Sequence, residues 1–381
     1  MTAAYTVQML GTADPGRVNA LRVAVATELQ ALGVHESVTC EVSEQDAPAG
    51  GPVVAVAFVD ASSRDDPLLT HEARALIERG VVVIPVVDSL REFINLAPNE
   101  LAPINAFEWA GSNPAASLSR ILLRELGIED RQRRAFLSHR RSDGLGVAEQ
   151  LHDSLTHIGF DAFIDRFDIA IGADVQRRIA DALEHFAFLV VLETPEAHTS
   201  EWVFYEVDYA LAHSMGLLIV GWPGAAPIPG SHGLPRFRLE ASDLVTDEHN
   251  YDVLQPSALD RVLSEVEAAH AVGIVRRRRM LLRNVQEAAE ARGGTCTTLR
   301  DWSLDVAMPS GRSIVSVAPR LPESEDLHRL DLVRMAIDPS APGLLIHAAR
   351  ALDVGTQAHL DWVKASRRLD LVPENQVGAL W

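Results

Sequence analysis

The sequence predicts an α/β protein built on parallel sheets, and three observations carry that prediction. The runs Val53–Val59, Val81–Val87 and Phe188–Leu192 are of strand length and apolar at almost every position, which marks strands covered on both faces. Helical repeats alternate with them, as in crossover units. A polar, glycine-containing turn after the strand that ends in Ser138-His139 opens the next helix.

Taken in order, Tyr5–Leu10 reads as a strand, Val18–Leu32 as an Ala/Leu/Val-rich helix and Ser37–Val42 as a second strand. The strand Val53–Val59, a helix over Thr70–Arg79 and the strand Val81–Val87 complete a first unit over residues 1–127. A second unit, 131–272, opens with a short strand around Phe136-Leu137 and a helix in which Val147, Leu151, Leu155 and Ile158 share a face. The strand Phe160–Asp165, a loop over Ile169–Asp174, a helix carrying Ile179, Leu183 and Phe186, and the strand Phe188–Leu192 follow. Thr199 or Ser200 can cap the next helix, whose first turns hold Trp202 and Glu206 at i, i+4. A strand over Gly216–Val220 leads to a Pro/Gly-rich loop, Pro223–Gly230, and a helix over Ser257–Ala271. Gly273 marks a boundary. The third unit, 274–381, contains a helix over Arg276–Arg292, a hairpin of Thr298–Ala307 and Ser313–Val317 around Pro309–Arg312, helices over Leu327–Ala336 and Gln357–Leu369, and a strand over Leu344–Ala348.

Glu206 and Trp202 stand out. A carboxylate beside an indole, at a helix start just past a strand's carboxyl end, sits where open α/β sheets bind ligands. A packed Trp and a Glu favoured by the helix dipole would give the same pattern. The segments Phe136-Leu137-Ser138-His139 with Asp143, Ile169–Asp174, and Ser200-Glu201-Trp202 with Glu206 occur in that order on matching elements. In this they resemble a bacterial TIR (Toll/interleukin-1 receptor homology) domain, over roughly residues 131–225. Two departures stand against the pattern: Val203 where the family often has Cys, and Glu193-Thr194-Pro195 where the strand end often carries Ser.

The fold class implied is a flavodoxin-like parallel-sheet TIR domain, preceded by a TIR-like α/β domain and followed by a small α+β domain. The first unit reads as a worn copy of the second, with His71-Glu72-Ala73 parallel to Tyr205-Glu206-Val207; an unrelated flavodoxin-like domain is the alternative. Leu68 replaces Trp202 and Leu10-Gly11-Thr12 replaces the Ser-His box, so an inactive unit for oligomer contact or sensing is expected.

The resemblance implies a reaction that one carboxylate suffices for, cleavage of the nicotinamide–ribose bond of NAD+. The pyridinium leaves as neutral nicotinamide, so no general acid is needed, and the oxocarbenium-like transition state needs a nearby negative charge. By resemblance Glu206 takes that role. Trp202 shapes the pocket, Phe136, Ser138 and His139 line the nicotinamide and ribose side, Arg140 pairs with the pyrophosphate, and Ile171 and Gly172 belong to a mobile loop. NAD+ is then a substrate, and no cofactor or metal is expected. Pockets of this kind are often completed when domains stack, so a homo-oligomer or filament through TIR–TIR contacts is expected, triggered by a ligand or protein acting on the flanking domains. The expectation is an oligomerisation-gated NAD+ glycohydrolase of bacterial antiphage defence. A synthase of a cyclic ADP-ribose-type signal and a non-enzymatic TIR adaptor are the alternatives.

Composition bounds these readings. With 381 residues and 47 % hydrophobic content the chain can build two or three cores. A net charge of −19 argues against nonspecific nucleic-acid binding. The run Arg276–Arg279 points around a helix rather than along one stripe, and reads as a solvated helix start. Cys40 and Cys296 form no metal or disulfide pattern, the first residues do not read as a signal peptide, and no apolar run reaches membrane-spanning length. A cytoplasmic protein is expected. Gly144-Leu145-Gly146 lacks the third glycine of a dinucleotide fingerprint, no P-loop is present, and His71-Glu72 lacks the second His of a zinc protease. Ser138 and His139 leave a strand on opposite faces and cannot pair as nucleophile and base. The third unit resembles restriction-nuclease-like cores in its order of elements, but Val315-Ser316-Val317-Ala318 stands where Glu-x-Lys would hold a metal. It therefore reads as a sensing or partner-binding accessory.

Overall fold

The computed structural model describes residues 3–11, 14–36, 38–45, 53–129, 132–164, 175–299, 301–349 and 352–381. The chain divides into two compact units, 1–131 and 132–381.

The first unit runs β1 (Ala3–Leu10), α1 (Pro15–Ala31), β2 (Val38–Ser43), β3 (Val53–Phe58), α2 (Pro67–Glu78), β4 (Val82–Val87), α3 (Leu90–Leu96), β5 (Phe107–Glu108) and α4 (Pro114–Glu125). Its parallel strands lie in the order β2-β1-β3-β4-β5. Helix α2 starts earlier than the apolar period shows, because Asp66 caps Leu68 N and Leu69 N and Pro67 fits the first helical position. Beyond Val87 the apolar runs do not announce α3, β5 or α4.

The second unit begins with β6 (Arg134–Ser138), α5 (Arg141–His157), β7 (Asp161–Ile164), α6 (Val175–Phe186), β8 (Phe188–Glu193), α7 (Glu201–Ala212), β9 (Gly216–Gly221) and β10 (Arg236–Arg238). The sheet order is β10-β9-β8-β6-β7, all parallel, so the order reverses between β6 and β8. Residue alternation splits the core into two layers. Ala135, Leu137, Val190 and Leu192 pack under α5, whereas Phe136, Leu189 and Val191 pack under α6 and α7 with Leu183, Val203, Val207 and Ala210. A short hairpin, β11 (Leu244–Thr246) and β12 (Asp252–Leu254), lies against α5.

Helix α8 (Pro256–Glu290) corrects the expected break at Gly273: one 35-residue helix replaces two. A Cβ on Gly273 would lie 2.7 Å from the Cα of Gly216, so the glycine permits close approach to β9 rather than ending a helix. The arginine run is also corrected. Arg277 and Arg278 are buried in mid-helix, Arg277 paired with Glu374 at 2.6 Å and Arg278 over the Trp302 ring. Beyond α8 come β13 (Thr295–Thr298), β14 (Ser303–Met308), β15 (Gly311–Val317), α9 (Ser324–Ile337), β16 (Gly343–His347), α10 (Val354–Lys364) and β17 (Leu369–Pro373), in one sheet in sequence order. The expected strand Thr298–Ala307 is broken, since Asp301 and Trp302 turn through positive φ (56° and 54°). The expected last helix stops at Lys364, and β17 follows as a strand.

The segment β3–α2–β4 matches β8–α7–β9 without insertion, offset by 134 residues throughout (72 to 206, 80 to 214). Strand registers agree, Phe58 pairing Val86 as Leu192 pairs Val220. Loop bonds agree, Ser63 N donating to Asp60 O (3.1 Å) as Ala197 N donates to Thr194 O (3.1 Å). The helix ends agree, Val81 N to Leu76 O (3.0 Å) and Met215 N to Ala210 O (2.9 Å), each after a left-handed residue, Gly80 or Ser214.

Candidate active site at the strand-order reversal

In an open parallel sheet, ligands bind outside the carboxyl ends of the strands where the order reverses. Here that point lies between β6 and β8, with Ser138 and His139 at the end of β6 and Trp202 and Glu206 on α7. Ser138 ends β6 on the same face as Phe136, towards α6 and α7. Its hydroxyl is buried and finds no hydrogen-bond partner among the described residues. His139 is half-buried beside α5, its Cβ 3.3 Å from where a Cβ on Gly144 would stand. Serine and histidine thus part to opposite faces, as the strand alternation requires.

Helix α7 is capped by Ser200, whose Oγ accepts from Val203 N at 3.4 Å. Its buried stripe is Val203, Glu206, Val207 and Ala210. Glu206 is 5 % exposed, a carboxylate in a row of apolar side chains turned to the sheet. Glutamate is seldom this buried unless it is paired. Trp202 lies outside that stripe and is 49 % exposed. Phe136 is 1 % exposed and packs with Phe163 and Phe186 at centroid distances of 5.3 and 6.5 Å, so it is part of the core beneath the site. Ile171 and Gly172 lie outside the described residues.

Arg140 is engaged with the loop before α7. It donates to Glu196 O at 3.0 Å and to Thr199 Oγ1, and its guanidinium stands 3.1 Å from Glu196 Oε2. Asp143 closes the same clamp, accepting from Thr194 Oγ1 and Glu196 N, both at 2.8 Å. The sequence reading attached Asp143 to a motif without a job. The structure gives it one, fixing the segment that leads into α7. Asp143→Ala is expected to leave the chain folded and to loosen the segment that leads into α7, read as faster hydrogen exchange there at little change in melting temperature.

The two departures from the family pattern have local reasons. Val203 is a core residue of the stripe. Glu193 is buried and accepts from Ile228 N and from Arg236 Nη2, both at 2.9 Å, anchoring the segment after β9. The paired glycines of α5 are packing devices: a Cβ on Gly146 would meet Asp252 O at 2.5 Å. Gly146→Ala must displace backbone, and about 1–3 kcal/mol of stability is expected to be lost, read as a lowered denaturant midpoint.

A parallel sheet in this order, with helices on both faces, defines an α/β domain of the flavodoxin-like class. Residues 135–251 match the TIR domain family, and this part of the chain is a TIR domain. A curated relative, the 2′ cyclic ADP-D-ribose synthase BtTIR of Bacteroides thetaiotaomicron, is 26 % identical over 80 residues. The match covers 21 % of this chain and only 28 % of the synthase. Among solved structures, the TIR domains of the activated Roq1 resistosome align at 16 % identity over 37 % of this chain and 84 % of theirs, with a TM-score of 0.22. The C-terminal domain of glucosamine-fructose-6-phosphate aminotransferase from Francisella tularensis aligns at 10 % identity over 72 % of this chain and 84 % of its own, also with a TM-score of 0.22. At scores this low neither likeness carries weight. Strand order and the family match do. Among the described residues no helix is long and apolar enough to cross a membrane.

Proposed function

We propose that the TIR domain cleaves NAD+ between nicotinamide and ribose, and that Glu206 is its catalytic carboxylate. The observation that carries this reading is a carboxylate 5 % exposed, on the sheet face of α7, at the strand-order reversal. The C1′–N bond breaks with its electron pair going to the departing nicotinamide, and Glu206 stabilises the positive charge left on the ribose. Water then adds at C1′ and loses a proton to solvent, giving ADP-ribose. The unsatisfied Ser138 hydroxyl is suited to a polar group of the bound nucleotide. Arg140 acts as a loop clamp in this reading, and Trp202 as the rim of the pocket. A second product has support from the BtTIR synthase: if a hydroxyl of the same molecule reaches C1′ before water, a cyclic ADP-ribose forms. Chromatography of the reaction products separates the two.

Activity is gated by assembly of several copies in a cytoplasmic antiphage response, with the flanking units as inputs. The first unit is an inactive copy of the TIR sheet. Its match over β3–α2–β4 supports this, and Glu72 takes the place of Glu206 on α2, half-buried beside Leu69, Ala73 and Leu76. The other side of the site is absent: Leu10 pairs Ala57 as Ser138 pairs Val191, which puts leucine where serine stands. Glu72→Gln is therefore expected to leave NAD+ consumption unchanged, and a loss equal to that of Glu206→Gln would show a second active site.

A further inference from the structure

Helix α6 stands between α7 and the C-terminal sheet, and one buried glutamate touches both, its side chain on α7 and its backbone oxygen on the C-terminal part. Glu184 is 3 % exposed. Its Oε1 accepts from the hydroxyl of Tyr209 on α7 at 2.9 Å and lies 3.4 Å from Nδ1 of His213, on whose ring Tyr209 stacks at 4.1 Å. Tyr209 is three residues beyond Glu206, one helical turn away. The backbone oxygen of Glu184 accepts from Leu321 N at 3.2 Å, in the segment that joins β15 to α9.

That segment is tied to the TIR sheet at several further places. Glu323 accepts from Arg134 at the start of β6 (2.7 Å), and the same guanidinium reaches the ring of His185 (3.2 Å). Gln132 donates to Glu325 at 2.9 Å, and Arg320 bonds both Gln132 and Asp326. Glu323 also caps α9, with Asp326 Oδ2 returning to its backbone N–H at 2.9 Å. The start of α9 cannot move as a body without breaking buried or half-buried polar contacts to β6 and α6. Nor can α6 shift along α7 without removing the Tyr209 hydroxyl from a carboxylate with little access to water.

We infer that Glu184 is a positioning residue through which the C-terminal sheet governs the placement of α7 and hence of Glu206. The regulatory part rests on the reading of Glu206 as the catalytic group; the mechanical part does not. Small movements of the β15–α9 segment, driven by whatever engages the last hundred residues, reach the site by way of Leu321, Glu184 and Tyr209.

The test uses the full chain in three forms: Glu323→Ala, Tyr209→Phe and the two combined. Hydrogen exchange in peptides covering 201–212 is read together with NAD+ turnover. Glu323→Ala is expected to speed exchange in 201–212 by about fivefold, the change that loss of one net hydrogen bond predicts, although it touches no residue of α7. Tyr209→Phe is expected to speed it similarly and to lower kcat at unchanged KM. The double variant is expected to match the stronger single one, because both break the same chain of contacts. Acceleration confined to 318–337 in Glu323→Ala, or strictly additive effects, overturns the inference. Exchange coupling in a protein that leaves NAD+ intact would sink the proposed reaction and keep the mechanical link.

Discussion

Glu206→Gln is expected to lower nicotinamide release from NAD+ by at least about 100-fold, the cost of removing one preorganised electrostatic group from a transition state. Glutamine keeps the shape of the side chain and removes its charge, so the loss isolates the electrostatic term. The melting temperature is measured alongside, so that a damaged fold is not mistaken for lost chemistry. Wild type is assayed concentrated and with a crowding agent, which drives assembly by mass action. A variant as fast as wild type would remove Glu206 from the reaction. Wild-type particles that form while NAD+ stays intact would favour the adaptor over the enzyme.

The central strands β8 and β9 of the TIR sheet were legible in the sequence because they are buried along their whole length and read as apolar runs, whereas the edge strand β10, Arg236-Phe237-Arg238, carries no such run and was not announced. Glu206 was legible from its place at a helix start beyond a strand's carboxyl end and from the family motif that it completes. The structure adds that it sits in the buried stripe of Val203, Val207 and Ala210. The i, i+4 spacing with Trp202 was a weaker guide, since the helix turns the glutamate inward and leaves the indole at the rim. What the sequence hid depends on partners far along the chain. Gly273 reads as a breaker until Gly216 is seen beneath it. Arg277 and Arg278 read as solvated until Glu374 and Trp302 cover them. The clamp of Asp143 on Thr194 joins residues 51 apart, which no local period encodes. The repeat within the chain was visible only faintly, because the matched segments share fold and register more than residue identity.

Arg236→Met is expected to cost about 3–5 kcal/mol of stability, because it leaves a buried carboxylate without its counter-charge. Glu193 and Arg236 have side chains 5 % and 13 % exposed, and meet at 2.9 Å. Arg236 also donates to Ser231 Oγ at 3.0 Å, so the pair pins the turn between β9 and β10. Adding Glu193→Gln is expected to recover most of the loss, since the amide oxygen can still accept from Ile228 N and no charge remains buried. Denaturant melts of the single and double variants measure this, and a single variant costing under about 1 kcal/mol would class the pair with ordinary surface bridges. The consequence reaches the site. Glu193 directly precedes Thr194, which Asp143 holds, and a β8 end that loses its anchor loosens the segment that sets the start of α7. Arg236→Met assayed well below its melting temperature should thus turn over more slowly than wild type, and the double variant should regain rate along with stability.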